Sequence, residues 1–248
     1  MVNINVTPDQ IILFEIGPFI FNSTIVNTWI VMAVLIGLSL AVTGKMRKDP
    51  YISPLQNFLE TLVEGIRSQI KEMMGRDPDP FLPFLGTLFL YIFLSNILSI
   101  VPYFESPTGS ITTTAALAII VFFAVPVFGI AEKGVAGYFS HYVKPSPVML
   151  PFNIISELSR TLALAVRLFG NVMSGSMIVG VLLSIAPLFI PVIMQALGLL
   201  IGAIQAYIFA TLATIYIASA VRVQDQEKKK SKEESSKHRE STEEESHG

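Results

Sequence analysis

The chain has 248 residues, 52% of them hydrophobic, with a mean hydropathy of +0.60 and a formal net charge of −2. It contains no cysteine, which excludes disulfides and thiolate metal sites, and it lacks the basic excess of a nucleic-acid binder. Its repeated apolar runs of near twenty residues mark an all-α polytopic membrane protein, because a helix of about 20 residues spans a hydrocarbon core ~30 Å thick.

Residues 1–23 are read as an external N-terminal segment. It mixes Asp9 and Glu15 with the apolar Ile11, Ile12, Leu13, Phe14, Phe19, Ile20 and Phe21, which are expected to pack at the membrane surface. No Lys or Arg occurs before Trp29, so the basic flank of a cleaved signal peptide is missing and the segment is expected to be retained. A membrane domain comes next, over 24–221. Its first helix is predicted over 24–43, with Trp29 in the aromatic belt. Residues 54–74 carry Leu55, Phe58, Leu59, Leu62, Val63, Ile66, Ile70 and Met73 at helical spacing opposite Glu60, Glu64, Arg67, Lys71 and Glu72. That is an amphipathic helix, read as lying on the cytoplasmic surface or packed on a neighbour.

After the Asp77-Pro78-Asp79-Pro80 break, a second membrane helix is predicted over 81–101, a short loop bearing Glu105 over 102–110, and a third helix over 111–131. Asn96 needs an interhelical partner, and Thr112, Thr113 and Thr114 are expected to bond backbone carbonyls. Pro126 calls for a kink or for accommodation by neighbours. Residues 132–147 read as a polar loop in which His141 is solvated. Two long helices, 150–185 and 188–221, bring the number of membrane helices to about five. Thirty-odd residues measure about 50 Å at 1.5 Å per residue, so both must tilt strongly, lie partly along the membrane or break. Residues 222–248, charged, Ser-rich and without an aliphatic or aromatic residue after Val223, read as a disordered cytoplasmic tail. The basic residues cluster at 45–76, at 133–144 and in the tail, which places the N-terminus outside and the C-terminus in the cytoplasm.

Between Thr161 and Val221 the one charged residue is Arg167. A guanidinium cannot escape burial by losing its proton, and intramembrane arginines mark functional sites. Arg167 is therefore the candidate fixed charge of an ion pathway. Arg160 lies two turns nearer the cytoplasmic end, within reach of Glu157, and both are read as structural or as lining a cytoplasmic access path. Asn171, four residues beyond Arg167, shares its face. Gln205 is the corresponding polar group of the last helix. Ser174, Ser176, Ser184 and Gln195 form a candidate polar trail outward, and Gly170, Gly175 and Gly180 permit close helix approach.

The run ELSRTLALAVRLFGN at 157–171, followed by QAYIF at 205–209, resembles subunit a of the F-type ATP synthase membrane sector, over about 26–220. The resemblance implies a tilted helical hairpin over 150–221 against a ring of c subunits, with peripheral-stalk b subunits, further synthase subunits and membrane lipid as neighbours. It implies two offset ion half-channels, with Arg167 between them and Asn171 and Gln205 beside it. Ion flow would drive rotation in the membrane of a prokaryotic cell. The chain itself would be non-catalytic and would carry no cofactor; it has no P-loop. Proton-translocating relatives often place a carboxylate nine residues after the arginine and a histidine or acid in the last helix. Ser176 and Gly198 stand there, so the coupling ion, H+ or Na+, stays open. The competing reading is a secondary ion-coupled transporter holding an anionic substrate on Arg167, which would usually show inverted repeats; none is visible.

Overall fold

The computed structural model describes residues 12–16, 19–46, 54–101, 104–143, 149–185 and 190–246. Apart from one small hairpin the architecture is all α-helical. Strands β1 (Ile12–Ile16) and β2 (Phe19–Asn22) pair antiparallel, with Phe14 opposite Phe21, Glu15 opposite Ile20, Ile16 opposite Phe19 and an irregularity between Ile12 and Phe14. The sequence pattern assigns no regular structure to the apolar residues of this segment. The intervening Gly17-Pro18 dipeptide is a strong turn former.

Helix α1 (Ser23–Met46) follows β2 directly. Asn27 and Val31 are buried and Leu35 packs on the core, a spacing of four that turns one face inward. Trp29 (61% exposed), Ile36 (57%) and Leu40 (68%) face outward, as lipid-facing residues should. Helix α2 (Pro54–Met74) has the predicted bounds. Ile70 and Met74 are buried and Leu62 and Ile66 partly so, and the helix packs on two later helices along its apolar stripe. Gly75, at φ 65, ends it in the left-handed conformation that a side chain would strain. Arg67 bridges to Asp79 at 2.8 Å and so ties α2 to the Asp-Pro link; the pair is half exposed and worth at most about 1 kcal/mol.

Helix α3 (Leu82–Leu98) is shorter than the predicted 81–101. Phe81 and Leu82 already donate their N–H groups to the Pro78 carbonyl, and Ser99 to Val101 continue as turns. Helix α4 (Ile111–Val143) keeps helical backbone at Pro126 and breaks at Gly134 (φ 75, ψ 164). The membrane-crossing part ends at Ala131 as predicted. Up to Val143 the expected polar loop is instead a second helical segment, because a glycine at positive φ redirects the chain and lets the helix resume on its far side; the rest of that expected loop, 144–147, lies outside the described residues.

Helices α5 (Met149–Ile185) and α6 (Ile190–Ser246) form a hairpin. Among the described residues four helices are long and apolar enough to cross a membrane, at Ser23–Leu40, Ile111–Ala131, Pro151–Leu182 and Val192–Val221, and α3 adds a shorter apolar one. The last two spans measure about 48 and 45 Å at 1.5 Å per residue. Backbone helix also continues in α6 to Ser246, where composition reads as a disordered tail. Residues 224–246 are rich in Glu, Lys and Gln, which favour helix in water and support it by pairs four apart.

The core lies between α3, α4, α5 and α6. Leu85 and Ile92 of α3, Val121 of α4, Leu164 and Leu168 of α5, and Phe209 and Ile217 of α6 are each at most 2% exposed. Phe128 of α4 meets Phe81 and Phe84 at 5.1 and 5.7 Å between ring centroids. At the other end of α3 the contact is polar. Asn96 Nδ2 donates to the Gly202 carbonyl of α6 at 2.9 Å, the interhelical bond its sequence context required. Gly202 is what admits it. A Cβ there would lie 2.9 Å from the Asn96 Cβ, closer than real side chains come. Thr114 donates to the Ser110 and Ile111 carbonyls, as expected of a hydroxyl at the start of a helix.

Gly202→Ala is accordingly expected to cost about 1–3 kcal/mol by overpacking and to lower the thermal midpoint of the detergent-solubilised protein. Gly37→Ala, with nothing within 4 Å of the added methyl, is expected to be neutral or stabilising by up to about 1 kcal/mol through helix propensity.

Candidate functional site: the arginine helix and its polar cavity

Leu164, Ala165 and Leu168 of α5 are buried against the core, and this orientation turns Val166 and Arg167 outward. Arg167 is exposed, and among the described residues no carboxylate pairs with it. Exposed around it on the same helix are Leu162, Val166, Gly170 and Met177. The arginine therefore stands in an apolar, partly small-residue surface rather than inside the chain's own core. A cation so placed is available to a group brought up from outside the chain.

Toward the Ile185 end of α5, starting one turn beyond Arg167, a cavity of about 470 Å³ opens between α5, α6, the end of α3 and the loop before α4. Asn171, Ser174, Ser176 and Gln195, four of the residues picked from the sequence, line it together with Asn96 and Glu105. Ser174 and Ser176 spend their hydroxyl protons on the Asn171 and Val172 carbonyls, which leaves their oxygens as acceptors. Ser184 lies in a part of α5 whose side chains are outside the described residues.

Arg167 and Gln205 do not line this cavity. Gln205 is buried in α6, and its Nε2 has no hydrogen-bond partner. An unpaired buried amide is costly, so a donor kept in that state is notable. Arg160, two turns from Arg167 on the side away from the cavity, lies over the Tyr216 ring at 5.5 Å. That cation–π contact sets the level of the hairpin. Seven residues on in α5 and seven back in α6, Arg167 comes level with Phe209 to within about a turn, and Asn171 likewise with Gln205. The structure thus gathers Asn171, Ser174, Ser176 and Gln195 in the cavity, sets Arg167 and Gln205 just beyond its inner end, and holds Glu157 and Arg160 about two turns further away.

The loop before α4 supplies what sequence reasoning passed over. Thr108 Oγ1 donates to Asn96 Oδ1 at 3.0 Å. It shares a 2.7 Å bond with Ser106 Oγ, in which Ser106 must be the donor because the Thr108 proton is already committed. Asn27 of α1 donates to the Glu105 carbonyl at 2.8 Å. These bonds fold the loop inward and bring the Glu105 side chain to the cavity. Its Oε2 is buried without a hydrogen-bond partner, and burial pushes its carboxyl above the usual carboxylate range. The sequence signal was only that Glu105 is the lone charge of that loop.

Comparison with known proteins shows the family. Residues 25–218 match the family model described as ATP synthase A chain. The chain is 58% identical over 219 residues to ATP synthase subunit a 2 of Acaryochloris marina, covering 88% of this chain and 94% of that one. It is 52% identical to ATP synthase subunit a 2 of a Picosynechococcus species, covering 93% and 99%, and 54% identical to ATP synthase subunit a of Albidiferax ferrireducens, covering 87% and 94%. A multi-pass helical chain whose long hairpin carries Arg167 as its one charged residue between Thr161 and Val221, matched over this length, belongs to the ATP synthase A chain family, subunit a of the F-type enzyme.

Proposed function

We propose that this chain is the ion-conducting stator of a rotary ATP synthase, with Arg167 as the fixed charge between two aqueous half-channels. The observation that carries the reading is the placement of Arg167, an unneutralisable cation held at the outward surface of α5 just beyond the inner end of a polar cavity. A ring of c subunits is the partner that fits the small and apolar surface around it. A ring carboxylate passing Arg167 is stabilised in its ionised form and gives up its ion. It reloads from the other half-channel, and the positive charge blocks direct leakage between the two. The cavity lined by Asn171, Ser174, Ser176 and Gln195 serves as the outer half-channel. The other opens toward Glu157 and Arg160. Gln205, with its unpartnered Nε2, hydrates the ion or orients the guanidinium.

In this reading the chain performs no chemistry on the nucleotide and binds no cofactor; ATP is made elsewhere in the complex. Peripheral-stalk b subunits hold it against rotation. It sits in a prokaryotic cell membrane with the N-terminus outside and the C-terminus in the cytoplasm, following the distribution of Lys and Arg.

Arg167→Ala is expected to leave the subunit inserted, since losing a charge eases insertion, and to abolish ATP synthesis driven by an imposed ion gradient in membrane vesicles. Arg167→Lys, which loses the planar fork and can deprotonate when desolvated, is expected to fail as well. Normal synthesis by Arg167→Ala, at a subunit level verified by immunoblot, overturns the stator reading. Orientation is checked separately in this cysteine-free chain. A cysteine at the exposed Val101 should react with a membrane-impermeant maleimide from outside, and one at the exposed Lys71 only from the cytoplasmic side. The reverse pattern would invert the assignment of the half-channels.

A further inference from the structure

The long helices of this chain carry no acid or histidine beyond Glu157 in their apolar parts, yet an ion moving through the cavity needs a place to bind on its way to Arg167. The cavity's own lining answers this. Of the described residues lining it, Glu105 is the one titratable side chain. It comes from the loop between α3 and α4, not from the hairpin. The other described residues that line the cavity are uncharged, among them Asn96 from α3, Asn171, Ser174 and Ser176 from α5, and Gln195 from α6. Asn27 of α1 reaches only its backbone carbonyl. No cation among the described residues pairs with its carboxylate.

We propose that Glu105 is the cation-accepting group of this cavity, binding the coupling ion on its path between the outer face and Arg167. Three structural facts converge on that role. The loop is pinned by Asn27 at the Glu105 carbonyl and by the Ser106–Thr108–Asn96–Gly202 chain of hydrogen bonds, so the side chain is held at the cavity and not left in bulk solvent. The carboxylate Oε2 is buried and lacks a donor, which leaves one acceptor for an incoming cation. The Ser174 and Ser176 hydroxyls of the same cavity, already donating to backbone, present lone pairs rather than protons. A carboxylate in a cavity whose other described lining is uncharged attracts a cation, either a proton taken onto the carboxyl or a sodium ion held by the carboxylate and cavity oxygens. Partial burial raises the carboxyl's affinity for a proton, which suits loading from a near-neutral exterior.

The role rests on the stator reading, and the test separates the two. The whole ATP synthase in membrane vesicles carries Glu105→Gln, Glu105→Asp or Arg167→Ala, and synthesis is followed at a fixed driving force. In one arm the pH of the outer-face compartment is varied without sodium; in the other the sodium concentration is varied at fixed pH. Glu105→Gln, which keeps the size and the backbone bond to Asn27, is expected to slow synthesis by about tenfold or more. It should also flatten the outer-pH dependence if the ion is a proton, or raise the half-saturating sodium concentration by about tenfold if it is sodium. Glu105→Asp should restore most of the rate and the ion dependence. Because Arg167 remains, passive leakage should not rise. If Glu105→Gln keeps the native rate, or slows it with the pH and sodium profiles unchanged, Glu105 is not the acceptor and the proposal fails. Normal coupling by Arg167→Ala in the same experiment would instead overturn the stator reading beneath it.

Discussion

A single buried amide organises the Leu98 end of α3 and the helices around it. Asn96 donates to the Gly202 carbonyl across the α3–α6 interface and accepts from Thr108 of the loop before α4. In an apolar medium an amide without partners is expensive, so both ends of its hydrogen bonding are used. The bond needs a helix backbone at close range, and Gly202, with no side chain to intrude, provides it. The same amide thus fixes the spacing of two helices and the inward fold of a loop. With that spacing comes the cavity they enclose with α5. Hydrophobic packing alone, being non-directional, would hold the helices together without setting the loop.

At the inner end of the cavity the constraint is of a different kind. Leu164 and Leu168 anchor α5 by burial on the side that packs against α4 and α6. Since a helix has one fixed periodicity, that choice decides where Arg167 points. The charge is therefore positioned by its apolar neighbours, without any hydrogen bond to the arginine. Such a site is complete only when something outside the chain faces it. Membership in the ATP synthase A chain family fits a subunit whose membrane helices leave much of their surface to lipid and partners. Arg160 over Tyr216 gives the hairpin a second fixed level at its other end.

Much of this was legible in the chain itself. Apolar stretches near the bilayer thickness, the amphipathic pattern of α2 and the family motif around Arg167 depend only on neighbours in sequence, so α1, α2, α5 and the crossing part of α4 appear where predicted. The identity of the candidate charge followed from the solvation cost of an arginine in an otherwise uncharged run. Asn96 was recognisable as a residue in need of a partner because an amide in that setting always is.

Which partner it would find was decided by tertiary structure, because Gly202 lies far along the chain and only helix packing brings it near. The same holds for Glu105. In sequence it is only the one charge of a short loop; that it lines the same cavity as Asn171, Ser174 and Gln195 depends on how α1, α3, α5 and α6 pack. The β1–β2 hairpin and the helix resuming after Gly134 were likewise invisible, since strand pairing and a positive-φ break are settled by backbone geometry rather than by hydrophobic period. Composition and periodicity thus determine what crosses the membrane and which charge it carries. The polar contacts between distant segments decide what that charge is near.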